Sequence, residues 1–464
     1  MNSILERYTG LVDDHSAFTD ACSQPLPETV WMHPLREAAA ALSHLDRDAV
    51  SWRQHAWRLR AERDEEFTRS WLLGGWHFQE ESALLAARLL DAAPGEYILD
   101  LCAAPGNKTA ELALSVGLTG TVVANDISRA RAGIIQTTVN RLGLVNVVMT
   151  IQDGTRWPGP SNAFDAVMVD APCSCEGTCR KNPDVLVAQQ NREAHQALQV
   201  RLLSEAVRLV RPGGRICYAT CTFAPEENEA VLDRVLRRHP GVTVEPASIS
   251  GLRTDPGITQ WKGATYHPDV RNALRLWPHR NDTGGFFAAL LRKPDAPSRP
   301  HADRTAPSGP GPAHPRIHGL PSGESPWVHL GLPASVSESL GCLAGSKYDR
   351  LVNAAIRLPV GIEPSAVGLP GRNLKYGDRR LSTAAVQFLA PHVTDGWVDI
   401  PESAIQWFLD RKDVPVTRAS ASADQLAVLV ARSGPIGLGL AEPFRNEEQT
   451  DRVRSRFPKI WGGR

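Results

Sequence analysis

The distribution of apolar and polar positions over the middle of the chain predicts a parallel β-sheet covered by helices. Short apolar runs alternate there with longer stretches of helical periodicity, the pattern of repeated β-α-β units. Five runs have the character of buried strands: YILDL (97–101), TVVAND (121–126), NVVMTI (146–151), FDAVMVD (164–170) and GRICYAT (214–220). A later run, GGFFAALLR (284–292), is expected to return antiparallel at an edge of the sheet. The pattern thus predicts an α/β fold for this region.

The regions on either side have different patterns. Residues 1–75 are expected to be helical, with four tryptophans as packing anchors (Trp31, Trp52, Trp57 and Trp71). A segment rich in Pro, Gly, Ser and His at 295–326 predicts a linker. Beyond it, 327–464 contain strand candidates such as QLAVLVAR (425–432) and GPIGLGLAE (434–442), which predict a small, mostly β domain. Several domains are expected because 464 residues exceed the usual length of one domain.

Composition and charge narrow the class of protein. Hydrophobic residues at 42% and charged residues at 22% are typical of a soluble globular chain, and no apolar stretch reaches membrane-spanning length. We therefore expect a cytoplasmic protein without a membrane partner. The charges of the 51 basic and 51 acidic residues cancel. This balance argues mildly against electrostatic binding of nucleic acid over the whole surface. Two basic segments, 53–63 and 452–459, are candidate RNA contacts or, alternatively, ordinary solvated faces.

Acidic residues follow four successive predicted strands. Asp100 ends the first strand, and the residues after it are small enough for a tight turn at Gly106 that lets a ligand approach the backbone. Asp126, Asp153 and Asp170 follow the second, third and fourth strands. Ligands of such sheets bind beyond the carboxyl ends of the strands, where a carboxylate such as Asp126 can hold both hydroxyls of a ribose. Each aspartate alone could instead be a helix cap, and the turn an ordinary connection.

Thiols are concentrated in the same region. Five of the eight cysteines fall in a short stretch, which favours chemistry or metal binding over disulfides (Cys173, Cys175, Cys179, Cys217 and Cys221). Cys173 and Cys221 follow neighbouring predicted strands, so they are expected to face one pocket. The CSCEGTC run could alternatively hold a soft metal ion, but it lacks paired CxxC knuckles and no metal is predicted. The other thiols, including Cys102, are expected to be small buried residues.

Several of these motifs together resemble a known family. DLCAAPGNKT, ND, QDG, DAPCSCEG, RPGGRICYATCTFAPEENE and RLWPHRNDTGGFFAALL are similar, in this order, to the motifs of Sun/NSUN-type RNA cytosine-5 methyltransferases over 65–292. The resemblance implies a Rossmann-like S-adenosylmethionine methyltransferase core at 76–294. The extension at 1–75, which contains the basic segment 53–63, is expected to bind RNA. RsmF-like members carry a C-terminal PUA-like domain, and 327–464 are similar in type, which implies a second RNA-binding domain there.

The resemblance also implies roles for individual residues. Cys221 matches the nucleophile that adds to carbon 6 of cytosine, and Cys173 matches the thiol that assists product release. Asp170 would lie between cofactor and base, Asp126 would hold the ribose and Asp153 would lie beside the adenine. The methionine end of S-adenosylmethionine would be lined by the loop Cys102, Ala103, Ala104, Pro105, Gly106, Asn107 and Lys108, of which Lys108 would also serve the target base.

The sequence departs from the family pattern at two positions. Cys175 stands where glycine is usual, and Asn107 stands where glycine or serine is commoner. Neither change removes a reactive group. Gln79 and Glu80 match an element expected to shape the base pocket, and a flipped base could stack on a nearby aromatic ring (Trp71, Trp76 or His77).

The expected function follows from the resemblance. It implies an S-adenosylmethionine-dependent enzyme that forms 5-methylcytosine in 16S ribosomal RNA, with the small ribosomal subunit as partner and rRNA processing as its context. Separately, we expect a monomer. Transfer RNA is an alternative substrate. Two alternatives belong to other functional classes. One is a non-catalytic ribosome assembly factor, and the other is a metal-binding or redox protein built on CSCEGTC.

Overall fold

A computed structural model of the chain describes residues 3–34, 36, 45–60, 63–188, 191–295, 317–320, 330–374, 381–420, 429–433, 436–445 and 451–457. In these ranges the chain forms an N-terminal antiparallel sheet, a large central sheet and two C-terminal sheets, besides one short hairpin. No helix in these ranges is both long and apolar enough to cross a bilayer.

The N-terminal region is built mainly around a sheet. Its elements are α1 (Ser3–Glu6), α2 (His15–Ser23), β1 (Glu28–Met32), β2 (Arg47–Ala49), β3 (Ala56–Leu59), α3 (Glu65–Leu72) and β4 (Trp76–Phe78). The strands pair in the order β2-β3-β1-β4, with β3 and β4 antiparallel to β1. The prediction that 1–75 are helical holds for α1, α2 and α3 but is wrong for the four-stranded sheet. Aromatic and β-branched residues, as in ETVWM, favour a half-buried strand over a helix.

The four N-terminal tryptophans do pack, but on strands and turns as well as on a helix. Trp31 and Trp52 are buried against the central core, with 3% and 7% of their surface exposed. Trp57 and Trp71 are partly buried against a smaller cluster that Val30, Met32, Phe67 and Trp76 form.

The central region contains the predicted α/β sheet. Its elements are α4 (Leu84–Leu90), β5 (Tyr97–Asp100), α5 (Asn107–Val116), β6 (Thr121–Asn125), α6 (Arg129–Leu142), β7 (Val147–Thr150), β8 (Phe164–Asp170), α7 (Arg192–Leu209), β9 (Val210–Thr220), α8 (Glu229–Arg238), β10 (Thr243–Val244), β11 (Asp255–Pro256), β12 (Gln260–Trp261), β13 (Ala264–Thr265), β14 (Leu274–Leu276), α9 (Pro278–Asn281) and β15 (Phe286–Arg292).

The five predicted parallel strands are confirmed, and they lie in the order β9-β8-β5-β6-β7. Strand β15 pairs antiparallel with β9, as predicted, but β14 and β11 continue the sheet beyond it. The expectation that this strand forms an edge is therefore wrong. The extra strands are two or three residues long, too short to give a period-2 pattern in the sequence.

Helices cover both faces of this sheet. Successive strand residues alternate between two cores: Ile98 and Val122 belong to one, and Leu99 and Val123 belong to the other. All four are completely buried. Burial on both faces explains why these strands are continuous apolar runs.

The C-terminal region is rich in β-structure, as predicted. Its elements are β16 (Ile317–Gly319), α10 (Ala334–Glu338), β17 (Leu340–Leu343), β18 (Tyr348–Asn353), β19 (Ala366–Val367), β20 (Leu369–Asn373), α11 (Thr383–Leu389), β21 (Trp397–Asp399), α12 (Ile405–Leu409), β22 (Asp413–Pro415), β23 (Arg418–Ala419), β24 (Leu429–Ser433), β25 (Ile436–Arg445) and β26 (Asp451–Ser455). Two sheets have the orders β16-β17-β18-β20 and β22-β26-β25-β24-β21-β23.

Two short strands bear on the predicted boundaries. Strand β16 lies inside the predicted linker at 295–326, so this part of the prediction is wrong; 296–316 and 321–326 lie outside the described residues. Strand β19 pairs with β7 and extends the central sheet. The C-terminal region is thus joined to the central region by backbone hydrogen bonds. The domain limits themselves stay predictions.

Candidate active site

The carboxyl ends of β5, β6 and β8 bring a tight loop and several acidic side chains to one edge of the sheet. The loop follows β5 and turns into α5 at Gly106, whose φ of +104° is in the left-handed region that favours glycine. A Cβ atom there would lie 3.3 Å from the Cα of Ile135 on α6. The turn is thus closely packed against the next helix, which leaves the other side of the loop for a ligand.

Asp126 is fixed beside this loop. It is 2% exposed, and its carboxylate accepts hydrogen bonds from the backbone N–H groups of Ala104 at 3.3 Å and Ser128 at 2.9 Å. The Arg131 guanidinium lies 3.4 Å from Oδ2. The side chain therefore holds the loop after β5 against the loop after β6.

Asp153 acts as a cap. Its Oδ1 accepts hydrogen bonds from Thr155 N–H at 2.9 Å and Thr155 Oγ1 at 2.7 Å, and these bonds lower its pKa. The side chain is 41% exposed, and Oδ2 lies 3.8 Å from Arg156. Oδ1 therefore forms the helix cap that the sequence left open as an alternative, and the side chain as a whole is still partly exposed at the rim of the site.

Asp100 is a second buried carboxyl at this edge. It is 1% exposed; Thr109 Oγ1 donates to Oδ2 at 2.6 Å, and within the described part of the chain Oδ1 has no hydrogen-bond partner. Burial raises the pKa of Asp100 to about 7. A buried acceptor without a donor is costly, so this atom suits a donor supplied by a ligand.

Lys108 and Asp170 form an ion pair between the loop and β8. The Nζ and Oδ2 atoms are 2.7 Å apart, and Lys108 is 8% exposed. Burial alone would lower the pKa of Lys108, but the carboxylates of Asp170 and Asp100 outweigh it and raise that pKa. The ammonium is therefore retained at the floor of the site.

Three thiols lie next to one another just beyond the ends of β8 and β9. Cys173 Sγ is 3.5 Å from Cys221 Sγ and 4.0 Å from Cys175 Sγ. All three cysteines are partly buried and their sulfur atoms lie within 4.8 Å of one another. The expectation that Cys173 and Cys221 share a pocket agrees with this geometry.

The remaining cysteines lie elsewhere. Cys179 is 1% exposed and packs with Cys22 in an apolar cluster that Cys175 also contacts. Its sulfur is not among the three that are grouped, so the structure does not bring the whole CSCEGTC set together. Cys217 is completely buried within β9. Cys102 is half-buried, and burial raises its pKa.

The thiol neighbours also affect proton affinity. A hydrogen bond from Cys173 favours the Cys221 thiolate, but Cys175 and burial outweigh it and raise the pKa of Cys221 well above the ordinary range. Hydrogen bonding to Cys175 and Cys221, together with burial, raises the pKa of Cys173. Both groups therefore rest as thiols, and a substrate must be bound or a proton removed before attack.

The loops that carry the thiols are hydrogen-bonded together. Gly177 N–H donates to the Cys221 carbonyl at 2.9 Å, and a Cβ at Gly177 would lie 2.2 Å from the Gly285 carbonyl oxygen. Ser174 N–H donates to Glu227 Oε2 at 3.0 Å. Glu227 is completely buried and also accepts from Gln199 at 3.0 Å. Sequence reasoning gave Glu227 no role, although it lies in the quoted APEENE motif.

Residues expected to shape the base pocket are engaged in structural contacts. Gln79 accepts from Trp31 Nε1 at 2.9 Å and donates to Glu111 at 2.7 Å. Glu80 accepts from Gly284 N–H at 2.9 Å, which links the N-terminal region to the segment before β15. Trp76 is completely buried, so the expectation that it could stack on a base is wrong.

His77 and Trp71 are also occupied. His77 is 8% exposed, its Nε2 lies 2.9 Å from Asn107 Oδ1, and its Nδ1 contacts Arg141. Burial and Arg141 lower the pKa of His77 to about 3, so it is neutral. Trp71 is partly buried beneath the Arg141 guanidinium, 4.6 Å from its ring centre.

Arginines of the two basic segments form ion pairs with acids from other parts of the chain. Arg53 lies 2.9 Å from Glu111 and Arg58 lies 2.5 Å from Glu81, while Arg60 pairs with Asp48 and Arg63 with Glu28. In the second segment, Arg454 pairs with Asp413 and Arg456 with Glu442. These pairs favour the structural alternative over an RNA footprint at either segment.

Comparisons with known proteins agree with this geometry. The 16S rRNA methyltransferase RsmB/F family matches residues 87–292. A tRNA (cytosine(49)-C(5))-methyltransferase from Pyrococcus abyssi is 33% identical over 300 residues, which are 63% of this chain and 96% of that protein. Ribosomal RNA small subunit methyltransferase F from Escherichia coli is 27% identical over 467 residues, 96% of this chain and 94% of that protein.

The fold has solved counterparts as well. The structure of a methyltransferase homolog from Pyrococcus horikoshii is 29% identical, with a TM-score of 0.54 over 62% of this chain and 93% of that one. The expected α/β methyltransferase core is therefore confirmed. The chain belongs to the RsmB/F (Sun) family of S-adenosylmethionine-dependent RNA cytosine-C5 methyltransferases.

Proposed function

We propose that this enzyme methylates carbon 5 of a cytosine in 16S ribosomal RNA, with Cys221 as the nucleophile. The observation that carries the proposal is the thiol pair: Cys173 Sγ and Cys221 Sγ are 3.5 Å apart at the carboxyl edge where Lys108 and Asp170 are also paired. An attacking thiol and a second proton-transfer group are what addition to a cytosine ring requires.

The residues at this edge fit S-adenosylmethionine. The unpartnered, buried Oδ1 of Asp100 suits a cationic donor such as the cofactor's ammonium group. The loop from Cys102 to Lys108 would receive the methionine portion, Asp126 would hold the ribose, and Asp153 would lie beside the adenine. When bound, the cofactor supplies the methyl group that carbon 5 acquires.

The chain's own residues carry the remaining steps. The Cys221 thiolate forms a bond to carbon 6, which makes carbon 5 nucleophilic. Asp170, held by Lys108, supports protonation of the ring while it is attacked. After carbon 5 is methylated, Cys173, once its own proton has gone to solvent, takes the proton from carbon 5, the bond from Cys221 to carbon 6 breaks, and the ring gives up the proton that it had received during the attack. Cys221 is then restored and the base regains its aromatic ring.

The choice of ribosomal over transfer RNA rests on the C-terminal region. The relative that acts on tRNA matches only 63% of this chain, whereas the ribosomal RNA enzyme matches 96% of it, including the C-terminal sheets. We propose that 327–464 form a PUA-like domain that contacts RNA. Extension 1–75 as a second RNA contact, a monomeric state and a cytoplasmic location stay predictions.

Bisulfite sequencing of RNA from cells with and without this gene tests the proposal. We expect one or more 5-methylcytosines of 16S ribosomal RNA to disappear, and to return with the wild-type gene but not with Cys221→Ala. Loss confined to transfer RNA would move the substrate to the alternative. No change in any RNA would contradict both.

A further inference from the structure

The third thiol of the site has no part in the proposed reaction. Cys175 lies between Cys173 and the 3-10 turn that follows, and its φ of +58° is in the left-handed region that non-glycine residues rarely adopt. Its Sγ contacts the Cys173 carbonyl oxygen at 3.3 Å. The backbone thus holds a cysteine in a strained conformation with its sulfur beside the reactive pair.

The three sulfur atoms have the spacing of metal-bound thiolates. A metal–sulfur bond of about 2.3 Å places thiolates in a tetrahedral or trigonal site about 3.8 to 4.0 Å apart. The distances here are 3.5 Å and 4.0 Å from Cys173 to the other two, and the whole set lies within 4.8 Å. A cation could therefore bind all three with only small side-chain rotations.

We propose that Cys173, Cys175 and Cys221 form a binding site for a thiophilic divalent cation of the zinc or cadmium class. Binding forms three metal–sulfur bonds, and each cysteine that is still a thiol loses its S–H proton to solvent as its bond to the metal forms. A fourth position is open to water because all three cysteines are only partly buried. The site's existence is independent of the proposed function; only its inhibitory effect rests on Cys221 being the nucleophile.

The loops are already organised for such binding. Two ligands come from the loop after β8 and one from the loop after β9, and Gly177 N–H joins these loops through the Cys221 carbonyl at 2.9 Å. Three preorganised thiolates chelate a cation, whereas two leave a weaker, more open site. Cys175 thus decides whether a cation can bind tightly to Cys173 and Cys221.

Cadmium alone, added to the full-length protein under anaerobic conditions with a phosphine reductant, tests this inference. Binding is followed by ultraviolet sulfur-to-metal charge transfer and by competition with a chromogenic chelator. We expect one cadmium per chain bound by three thiolates. In Cys175→Gly, which suits the φ of +58°, affinity should fall at least about tenfold, since losing even an outer-shell partner often costs that much.

Cys179→Ala is the matched control, because Cys179 belongs to the same run but its sulfur is not among the three that lie within 4.8 Å of one another. It should bind cadmium with the wild-type affinity. Equal affinity in wild type and Cys175→Gly, or no stoichiometric binding in wild type, would overturn the inference.

Methyl transfer measured in the same samples separates this inference from the proposed function. We expect cadmium to inhibit the wild-type enzyme more strongly than Cys175→Gly. A chelator should restore the activity, whereas it would not reverse inhibition caused by oxidation of the thiols. Cadmium bound through Cys175 without inhibition would leave the metal site standing and contradict Cys221 as nucleophile. If cadmium does not bind but Cys221→Ala is inactive, the metal site is contradicted and Cys221 as nucleophile is not.

Discussion

At the scale of single residues, the two thiols of the proposed mechanism act at different times. Cys221 bonds to carbon 6 first, and Cys173 removes a proton only after methylation. Cys173→Ala should therefore stop the reaction with RNA still bonded to Cys221. We expect turnover to fall about 10²- to 10⁴-fold, the usual contribution of a positioned proton-transfer group. Denaturing gels with labelled RNA should show the covalent complex.

The double variant Cys173→Ala/Cys221→Ala is the control for this trapping experiment. It should form no covalent complex, because it lacks the attacking sulfur. A complex of equal yield in the double variant would mean that another residue bonds to the base.

A second residue-scale prediction concerns Asp100. Burial raises its folded-state pKa to about 7, whereas an unfolded aspartate titrates near ~4. The folded chain thus holds this proton more tightly, so its contribution to stability is fully present below the unfolded pKa and is lost as pH rises towards 7. Asp100→Asn should increase the free energy of unfolding by ~1–3 kcal/mol at pH 8 and by less at pH 5.

Denaturant titrations at the two pH values measure this difference. Calorimetry with S-adenosylmethionine should at the same time show weaker binding by Asp100→Asn, because the amide no longer offers a carboxylate to the cofactor. Equal stabilisation at both pH values would show that the carboxyl of Asp100 does not titrate as described.

At the scale of elements, the active site depends on how the loops after β8 and β9 are fastened. Glu227, before α8, accepts from Ser174 N–H in the other loop. Glu227→Ala should let the thiols drift apart, and a misplacement of about 1 Å can cost about 10²-fold in rate. We expect that loss in kcat with little change in affinity for S-adenosylmethionine, because the cofactor loop is held by Asp126 instead.

Glu227→Gln distinguishes positioning from general destabilisation. Its amide oxygen can still accept from Ser174, so kcat should largely recover. If both variants lose activity in parallel with their unfolding free energy, the role of Glu227 is structural only.

Among the elements, the strands of the central sheet could be predicted from the sequence, whereas the N-terminal strands could not. Strands β5 to β9 were recognisable because burial on both faces makes each a continuous apolar run. The N-terminal strands are only three to five residues long. Their tryptophans are therefore interpreted, from the sequence alone, as residues that anchor helices rather than strands. The pairing of Cys173 with Cys221 followed from strand order. The approach of Cys175 depends on its left-handed backbone, which the sequence does not reveal.

At the scale of the whole molecule, many charged side chains of the described residues lie in ion pairs. Among the described residues of the basic segments at 53–63 and 452–459, six arginines form ion pairs with acids, in keeping with a net charge of +0. Recognition of RNA would then depend on shape and on a few local contacts. The relative placement of the central and C-terminal regions would accordingly matter more than total charge.

That placement depends on strand β19 and on Asn353. Asn353 is completely buried, and its Nδ2 donates to the Leu118 carbonyl at 2.8 Å and the Gly120 carbonyl at 2.9 Å. Asn353→Ala would leave these two carbonyls unpaired, so we expect the free energy of unfolding to fall by ~1–3 kcal/mol. Ser346→Ala, at an exposed position, should change it by no more than ~0.5 kcal/mol.

A chain ending at residue 295 tests the same junction more severely. Without β19 the edge of β7 is exposed, and an open strand edge pairs readily with other chains. We expect light scattering to show association of the shortened protein, while the full-length Asn353→Ala variant stays dispersed. A shortened protein that is monodisperse and as stable as the full chain would show that the central sheet needs no cover from the C-terminal region.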